Sequence, residues 1–547
     1  MNKYSIALSL SMLIMNMVSA QKPIFTQDDT LRGSRTPERT WWDLTFYDLK
    51  VAVNTNEKRI EGSNTIHYKV LKSQKVMQID LQPPLTINKI VQNNEALTFQ
   101  KKGMNAYFIE MKTPQYEGKN YALTVFYEGI PKEAANAPWD GGFSWSKDAK
   151  GNPFVATSCQ GLGASVWWPC KDHMYDEPDS MSIAVTVPKN LMDVSNGRLV
   201  KTTEDADGTR TFNWFVKNPI NNYGVNVNIA NYTHFSEKFQ GEKGELSLDY
   251  YVLPENLEKA KKQFKQVPMM LKAFEHWFGP YPFYEDGYKL VEVPYLGMEH
   301  QSSVTYGNQY ANGYLGRDLS GTGWGLKWDF IIIHESGHEW FANNITYNDI
   351  ADMWIHESFT NYSESLFTEY HFGKKAGSEY MIGSRMGIHN KSPIIGTYNV
   401  NNEGSGDMYP KGGNMLHTMR QIVDNDEKWR QILRGLNKTF YHKTVDAADI
   451  ENYMIQASGK DLKPIFDQYL RHIQIPVLEC KVSKNKIDYR WTNCLSNFNM
   501  PIKVSLEKGK YAFIYPTKEW KSSKTTIKSK SDFKVDENFY VNLKMVD

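Results

Sequence analysis

The hydrophobic pattern of this 547-residue chain changes its period twice, and this limits what the chain can fold into. From about residue 40 to 234 apolar and polar residues alternate, as in the run from Tyr47 to Val53, which is typical of half-buried β-strands. A helical spacing follows, first in an amphipathic stretch over residues 257–278 and then from about 325 to 472. Beyond Pro476 the period of two returns.

This pattern predicts a multidomain α+β protein. We expect an N-terminal β domain over residues 21–234, a mainly helical domain over 235–475 and a small C-terminal β-sandwich over 476–547. The length agrees with this, since one domain takes about 150 residues. Hydrophobic residues make up 41% of the chain and charged residues 23%, which excludes a disordered or collagen-like protein.

The net charge of +1 gives no positive field for phosphate groups, so we do not expect a nucleic-acid partner. The densest basic run, residues 518–534, is typical of a solvated strand face, and an anionic partner is the alternative.

The first twenty residues resemble a cleavable leader. Lys3 precedes a largely apolar run from Ile6 to Val18, and Ser19 and Ala20 are the small residues of a cleavage site before Gln21. We therefore predict a signal peptide over residues 1–20 and export to the periplasm or the medium. No later run of eighteen apolar residues predicts a transmembrane segment.

Four cysteines occur, and an exported chain allows three pairings among them. We favour Cys480 with Cys494, because the residues between them predict two strands joined by a turn. Cys159 and Cys170 would then form the other candidate pair.

Two histidines four residues apart stand in a strongly apolar segment of the middle region. On a helix His334 and His338 share one face, with Glu335 beside it, and this is the spacing of metal ligands. Apolar residues one and two turns earlier, including Leu326, share that face, so we expect a buried helix there. The alternative is a pair of core histidines bound to backbone groups.

A catalytic zinc site needs three protein ligands and one open position. Glu357 is the predicted third ligand, because the eighteen residues after His338 suffice to end one helix, cross a turn at Asn348-Asp349 and begin another. Glu335 is placed to take a proton from metal-bound water as a general base. The ligand types favour one Zn²⁺ per chain, and cobalt and manganese are also compatible with them.

This spacing resembles the signature of the zinc aminopeptidases of peptidase family M1, His-Glu-x-x-His followed by eighteen residues and Glu. A second segment, Gly297-Met298-Glu299-His300, ends close before it and is similar to the family's Gly-x-Met-Glu-Asn exopeptidase motif. The resemblance implies that Glu299 binds the substrate's free α-amino group, with Gly297 and Met298 beside it. A carboxylate that binds the amine at a fixed distance from the metal would restrict cleavage to the bond after the N-terminal residue.

Two further segments match the family. Cys159-Gln160, followed by the run from Trp167 to Asp172, is similar to a loop of the β domain that reaches into the active site, which implies that Gln160 also binds the amine. Tyr409-Pro410-Lys411-Gly412 resembles the family's Tyr-x-Lys-Gly segment, which implies that Tyr409 stabilises the oxyanion. Glu364 matches an acid that supports a zinc ligand, although an exposed glutamate on a helix is the alternative.

The chain also departs from the family pattern. His300 and His356 replace Asn, Ser358 replaces Gly, and Glu339 and Ala342 stand where Gln and Gly are common. None of these changes removes a ligand or the base, and all of them lie next to residues that orient ligands or shape the substrate site.

The resemblance covers residues from about 40 to 475 and implies a saddle-like β domain, a thermolysin-like catalytic domain and then a β-sandwich. The family typically adds a long helical domain that covers the active site, whereas about 70 residues follow the catalytic domain here. We expect that helical domain to be absent and the cleft to be more open than is usual in the family.

The activity implied by the resemblance is zinc-dependent removal of the N-terminal residue from peptides that have a free amine. Three other functions stay open: a thermolysin-type endopeptidase, which needs no amine-binding glutamate; a lipid-epoxide hydrolase, as in the related leukotriene hydrolases; and an inactive peptide- or glycan-binding protein, suggested by 15 Trp. Hydrolysis of N-terminally blocked peptides would distinguish the endopeptidase, and the intact Glu335 argues against the binding protein.

Overall fold

A computed structural model describes residues 24–547 and shows a β-rich N-terminal part, a helical middle and C-terminal β-sheets. This confirms the predicted fold class. The predicted leader, residues 1–20, lies outside the described residues, and the domain limits after residues 234 and 475 stay a prediction. Between residues 24 and 547, no helix is both long enough and apolar enough to cross a membrane.

The α-helices of the described residues are numbered α1 to α11 in chain order. Most of them lie in the middle region, as the helical spacing predicts. Their bounds are Gln27–Gly33, Pro37–Thr40, Leu257–Gln263, Gln266–Phe278, Phe330–Gly337, Trp354–Phe372, Lys374–Gly383, Pro410–Val423, Asp426–Thr439, Ala447–Ser458 and Lys463–Arg471.

The stretch 257–278, predicted as one helix, forms two helices, α3 and α4, separated at Phe264 and Lys265. Pro268 explains the break, because it has no N–H to donate to the carbonyl of Phe264 and its ring would collide with that carbonyl.

The N-terminal part contains the first fifteen strands. An eight-stranded sheet has the order β13-β14-β11-β1-β2-β8-β4-β5, and two smaller sheets have the orders β12-β15-β10-β9 and β3-β7-β6. The bounds of β1 to β15 are Trp42–Asn54, Arg59–Val70, Val76–Asp80, Thr86–Gln92, Glu95–Ala96, Thr98–Lys102, Ala106–Glu110, Asn120–Gly129, Gly142–Lys147, Pro153–Ser158, Ser180–Pro188, Met192–Val194, Arg198–Glu204, Thr209–Val216 and Asn228–Ala230.

A five-stranded sheet of order β16-β17-β18-β20-β19 connects the β-rich part to the helices, and β21 pairs with β22 within the helical region. The bounds of β16 to β22 are Thr233–Gly241, Gly244–Val252, Tyr288–Glu292, Gly297–Met298, Val304–Tyr306, Ile345–Tyr347 and Lys443–Val445. Strand β19, at the edge of the five-stranded sheet, contains Gly297 and Met298 and packs near α5. The exopeptidase-like motif and the histidine motif are therefore neighbours in space.

The last region contains β23 to β28, in sheets of order β27-β24-β23-β28 and β25-β26. Their bounds are Val477–Ser483, Lys486–Thr492, Ile502–Glu507, Lys510–Ile514, Lys521–Lys524 and Asn542–Met545. Up to residue 547, no long helical domain follows the catalytic helices. That the cleft is more open than in other members of the family stays a prediction.

The buried apolar side chains form two clusters. One fills the N-terminal β part, and the other is continuous from the catalytic helices into the C-terminal sheets. Val291, Val293 and Met298 of the connecting region belong to the first cluster, whereas Leu290 and Val304 belong to the second. The motif strand therefore lies where the two cores meet.

The predicted bridge between Cys480 and Cys494 is wrong, because all four cysteines are unpaired. The predicted hairpin is present as β23 and β24, but its register places Cys480 opposite Tyr489. Cys494 lies beyond the end of β24, five residues from that position, which is about 16 Å along a strand. The two thiols are therefore not cross-strand neighbours.

Candidate functional site

Helix α5 carries His334 and Glu335 and is buried along its whole length. It begins at Phe330 because the carboxylate of Asp329 accepts hydrogen bonds from backbone N–H groups of the first turn, at 3.1 and 3.4 Å. Leu326 lies in a separate short turn, with 44% of its surface exposed. The prediction that Leu326 shares the buried face was therefore wrong.

The three predicted metal ligands come together. His334 lies on α5, His338 follows the last turn of α5, and Glu357 lies in the first turn of α6. The Nε2 atoms of His334 and His338 lie 3.7 and 3.4 Å from Oε2 of Glu357. One nitrogen or oxygen atom from each of the three buried side chains therefore converges on a common point.

The spacing of these atoms fits a tetrahedral metal ion. With zinc–ligand bonds of about 2.0–2.1 Å, two ligands of a tetrahedron lie about 3.3 Å apart. Oε2 of Glu357 is buried and has no hydrogen-bond partner among the described residues. A bound cation would compensate this oxygen, whose burial without a partner is costly.

The electrostatics of the site also favour a cation. Burial opposes charging of both imidazoles, but the carboxylates of Glu357 and Glu364 outweigh it and raise the pKa of His334 well above its usual value. For His338 burial is likewise outweighed, mainly by Glu357 and Glu299, and the pKa rises to about 9. The surrounding carboxylates thus attract positive charge, which a divalent ion would supply with both imidazoles neutral.

The other ring nitrogen of each histidine is held by the protein. Nδ1 of His334 lies 2.7 Å from Oε1 of Glu364, and Nδ1 of His338 lies 3.0 Å from the carbonyl of Phe341 and 3.1 Å from the hydroxyl of Thr360. A proton on each Nδ1 leaves the Nε2 lone pair free to bind a metal. Glu364 is 1% exposed, so the interpretation as an exposed helix glutamate was wrong.

We expect Glu364→Gln to weaken zinc binding by about 10- to 100-fold, because the amide is a poorer acceptor for the His334 N–H and carries no charge. Competition with a chromogenic chelator would measure the affinity. Glu258→Gln is the control, since the side chain of Glu258 is 84% exposed on α3. Equal affinities in both variants would contradict this role of Glu364.

Glu335 lies beside the three predicted ligands and is not part of their cluster. One oxygen of Glu335, one of Glu299 and a nitrogen of His338 lie within 4.8 Å of one another. Burial raises the pKa of Glu335 to about 7. A carboxylate with a pKa in this range can both accept and return a proton near neutral pH.

The exopeptidase-like motif packs directly on α5. A Cβ on Gly297 would lie 2.6 Å from a side-chain carbon of Ile331, so only glycine permits this approach. The next two residues bring Glu299 to the cavity, where it is 3% exposed. The hydroxyl of Tyr223 donates to its carboxylate at 2.9 Å, and the amide of Asn343 donates to its backbone carbonyl at 2.9 Å.

Gln160 reaches the same point from the β domain. It follows β10, and its amide nitrogen lies 3.4 Å from Oε1 of Glu357. Gln160, Glu299 and Glu357 together line the space beside the three ligands.

Tyr409 lies immediately before α8, with its ring 6.1 Å from the ring of His334, centre to centre. Burial, together with the negative charges of Glu357 and Glu299, raises the pKa of its hydroxyl well above the usual value. The phenol therefore keeps its proton and can donate a hydrogen bond into the cavity.

The cavity at these residues has a volume of about 480 Å³. The cavity walls are partly aromatic and apolar, and Trp139 at one side is 62% exposed. The site residues that line it are Gln160, Gly297, Met298, Glu299, His334, Glu335, His338, Glu357, Glu364 and Tyr409.

Two departures from the family pattern make contacts next to the site. His356 accepts a hydrogen bond from the backbone N–H of Tyr347 at 3.0 Å, and its ring stacks on that tyrosine at 4.2 Å. Ser358 donates to the carbonyl of Met408 at 2.7 Å, directly before Tyr409. His356, the residue before Glu357, therefore fixes the backbone at Tyr347, and Ser358 fixes the backbone directly before Tyr409.

Two other departures are buried away from the cavity. Glu339 accepts a hydrogen bond from the backbone N–H of Ser302 at 2.8 Å. His300 is fully buried, and neither ring nitrogen has a partner among the described residues. Burial lowers the pKa of His300 to about 3, so the ring is neutral.

The fifth departure, Ala342, has a φ of 157° and a ψ of −49°, a backbone conformation that favours glycine. Strain of this kind costs about 1–3 kcal/mol. Replacement by glycine removes the strain but also raises the conformational entropy of the unfolded chain, which offsets part of the gain in stability. We expect Ala342→Gly to raise the free energy of unfolding by about 1 kcal/mol, seen as a higher Tm. The control is Ala376→Gly within helix α7, which is expected to lower the Tm because glycine is a poor helix former. A lower Tm for both variants would show that the backbone at Ala342 is not strained.

Sequence reasoning missed the residues that hold Glu299. Asn343 follows the histidine motif closely, so its position near the site was open to inference. Tyr223 lies 76 residues before Glu299 and is one of 32 tyrosines, and no local pattern distinguishes it.

Comparisons with known proteins agree with the geometry. The profile of the peptidase family M1 domain matches residues 263–469, and that of the peptidase M1 N-terminal domain matches residues 44–223. Endoplasmic reticulum aminopeptidase 1 of Mus musculus is 21% identical over 66% of this chain and 39% of its own length. Leukotriene A-4 hydrolase of Xenopus laevis is 22% identical over 79% of this chain and 71% of its own length.

Other similar proteins include the probable aminopeptidase 1 of Sulfurisphaera tokodaii, 19% identical over 69% of this chain and 49% of its own length. The chain thus spans half or less of the length of several curated relatives. Among solved structures, the M1 zinc metallopeptidase of Deinococcus radiodurans has a TM-score of 0.66 at 20% identity, covering 80% of this chain and 94% of its own. This likeness concerns the fold.

Proposed function

Because this chain belongs to peptidase family M1 and its ligand set fits a zinc ion, we propose that it is a zinc-dependent aminopeptidase. The observation that carries the proposal is the position of Glu299, whose carboxylate lies beside Glu335 and His338. Within residues 24–547 no lysine or arginine forms an ion pair with Glu299. The free amine of a peptide would supply the missing positive charge.

His334, His338 and Glu357 would hold the zinc ion, which when bound lowers the pKa of a water molecule and polarises the substrate carbonyl. Glu299 and Gln160 bind the α-amino group, and the amine then places the first peptide bond at the ligands. Because one oxygen of Glu299 lies within 4.8 Å of a ring nitrogen of His338, an amine bound to Glu299 would lie next to the proposed ligands. This geometry supports cleavage after the N-terminal residue.

Glu335 takes a proton from the attacking water and passes it to the leaving nitrogen, as its position beside the ligands and its raised pKa support. The hydroxyl of Tyr409 donates a hydrogen bond to the carbonyl oxygen as negative charge develops there. Gly297 and Met298 form the wall against which the N-terminal residue lies.

Hydrolysis of free-amine aminoacyl chromogenic substrates beside their N-acetylated twins, with and without a zinc chelator, tests this proposal. We expect cleavage of the free-amine set only, lost on chelation and restored by zinc. Cleavage of blocked substrates would favour a thermolysin-type endopeptidase. No cleavage in either set would favour a peptide-binding protein.

The sequence also supports a location outside the cytoplasm, which we propose on the basis of the leader-like residues 1–20. N-terminal sequencing of the protein from the source cells should then begin at Gln21. A protein that retains Met1 would contradict export.

A further inference from the structure

A segment before the matched N-terminal profile contacts both the N-terminal β domain and the catalytic region. Its two helices are α1, Gln27–Gly33, and α2, Pro37–Thr40. On the β domain, Asp28 accepts a hydrogen bond from the backbone N–H of Met104 at 2.9 Å. On the catalytic domain, a Cβ on Gly33 would lie 2.1 Å from the carbonyl carbon of Val400, so the two backbones touch.

This segment is fixed firmly. The buried guanidinium of Arg39 donates to the carbonyls of Arg32 and Ser34 at 3.0 and 2.9 Å, and it pairs with Asp80 at 2.6 Å. The amide of Gln78 also donates to the segment, at 3.1 Å. The C-terminal end of α1, and with it Arg32, therefore has a defined position.

Arg32 extends from α1 to the loop that contains Gln160. Its Nη2 donates to the carbonyl of Gly161 at 2.9 Å, and the amide of Asn401 donates to the same oxygen at 3.4 Å. Arg32 also lines a small cavity of about 60 Å³ whose other walls include Gln160, Glu299 and Glu357. The guanidinium thus lies one residue from the predicted amine-binding amide.

The loop that contains Gln160 is held by such contacts, because its two glycines can adopt several backbone conformations. Gly161 has a φ of 71° and Gly163 a φ of 83°, conformations that glycine adopts without cost but does not enforce. The amide of Gln82 holds the carbonyl of Leu162 at 2.7 Å, and Arg32 holds that of Gly161. Both bonds fix the backbone from which the Gln160 side chain projects.

We propose that Arg32 is a positioning residue for the amine site. By holding the carbonyl of Gly161, it keeps the Gln160 amide beside Glu357, where the α-amino group binds. The proposal rests on the proposed aminopeptidase function. It assigns a role to a segment outside both matched profiles, which begin at residues 44 and 263.

The test is Arg32→Ala in the full-length zinc-loaded protein. We expect KM for free-amine aminoacyl substrates to rise by about tenfold, with kcat nearly unchanged, because one charged hydrogen bond is lost away from the reacting atoms. Arg32→Lys, which keeps the charge and a donor, should restore part of the loss. Arg35→Ala is the matched control in the same segment, because Arg35 pairs with the exposed Asp446 and should leave KM unchanged.

Coupling to Gln160 separates positioning from general stability. In a Gln160→Ala background, Arg32→Ala should add little to the rise in KM, since both changes remove the same interaction. A full additional tenfold rise in KM in the Gln160→Ala background would overturn the proposal. Equal changes in kcat and KM in Arg32→Ala and Arg35→Ala would also overturn it. If Arg32→Ala does not fold, Arg32→Lys and Arg32→Gln provide the comparison, and wild-type KM in both would also overturn it.

Failure of the proposed function is visible separately. Calorimetry with leucinol, which has a free amine but no acyl–nitrogen bond to hydrolyse, measures amine binding without turnover, and we expect Arg32→Ala to weaken it by about tenfold. If the wild-type protein binds leucinol but cleaves no free-amine substrate, the aminopeptidase proposal fails and the role of Arg32 is still measured. If the wild-type protein cleaves free-amine substrates and only the Gln160→Ala variant is impaired, the proposed role of Arg32 is wrong and the proposed aminopeptidase function stands.

Discussion

Replacing Glu335 with Gln is expected to lower kcat by about 10²- to 10⁴-fold while the protein keeps its zinc. Gln has nearly the same shape and cannot accept the proton of the attacking water. Glu335 lies outside the three-residue ligand set, so its loss should not release the metal. Steady-state kinetics on a free-amine aminoacyl substrate measures kcat, and atomic absorption measures the zinc content.

The matched control is Glu339→Gln, the same substitution four residues later. Glu339 does not line the cavity, and a Gln at this position can still accept the hydrogen bond from the N–H of Ser302. We expect near-normal kcat in this variant. If Glu335→Gln kept normal turnover, or lost its zinc together with its activity, the assignment as base would be wrong.

The convergence of the three proposed metal ligands could be predicted from the sequence because their geometry is mostly local. A spacing of four places His334 and His338 on one face, and the eighteen residues that follow suffice for α6 to bring Glu357 back. The fold class followed from the period of the apolar residues for a similar reason, since this period depends on which face each element buries.

Features set by distant contacts were not predictable in this way. The partner of Glu299 is Tyr223, from a different part of the chain, and the guanidinium that holds the Gln160 loop comes from Arg32, 129 residues before Gly161. The register that separates Cys480 from Cys494 depends on hydrogen bonds of the hairpin and not on the number of residues between the cysteines.

Replacing Glu299 with Gln is expected to reduce kcat/KM for free-amine substrates by about 10- to 150-fold, the value of one hydrogen bond to a charged group. The effect should depend on the substrate's charge. An N-acetylated twin has no ammonium group to pair with Glu299, so its low rate of hydrolysis should not change. The same two substrates measured on both proteins form a double-mutant cycle whose coupling energy reports the contact between carboxylate and amine.

Tyr223→Phe is the graded control for this cycle, because it removes the hydroxyl that donates to Glu299 at 2.9 Å and keeps the carboxylate. We expect a loss for free-amine substrates of less than tenfold, since one neutral donor is removed. If Glu299→Gln instead lowered cleavage of blocked and free-amine substrates equally, Glu299 would act on the reaction itself and not on the N-terminus. The geometry would then describe an endopeptidase, since no other buried carboxylate lies so close to Glu335 and His338 without being a ligand, within the residues that the structure describes.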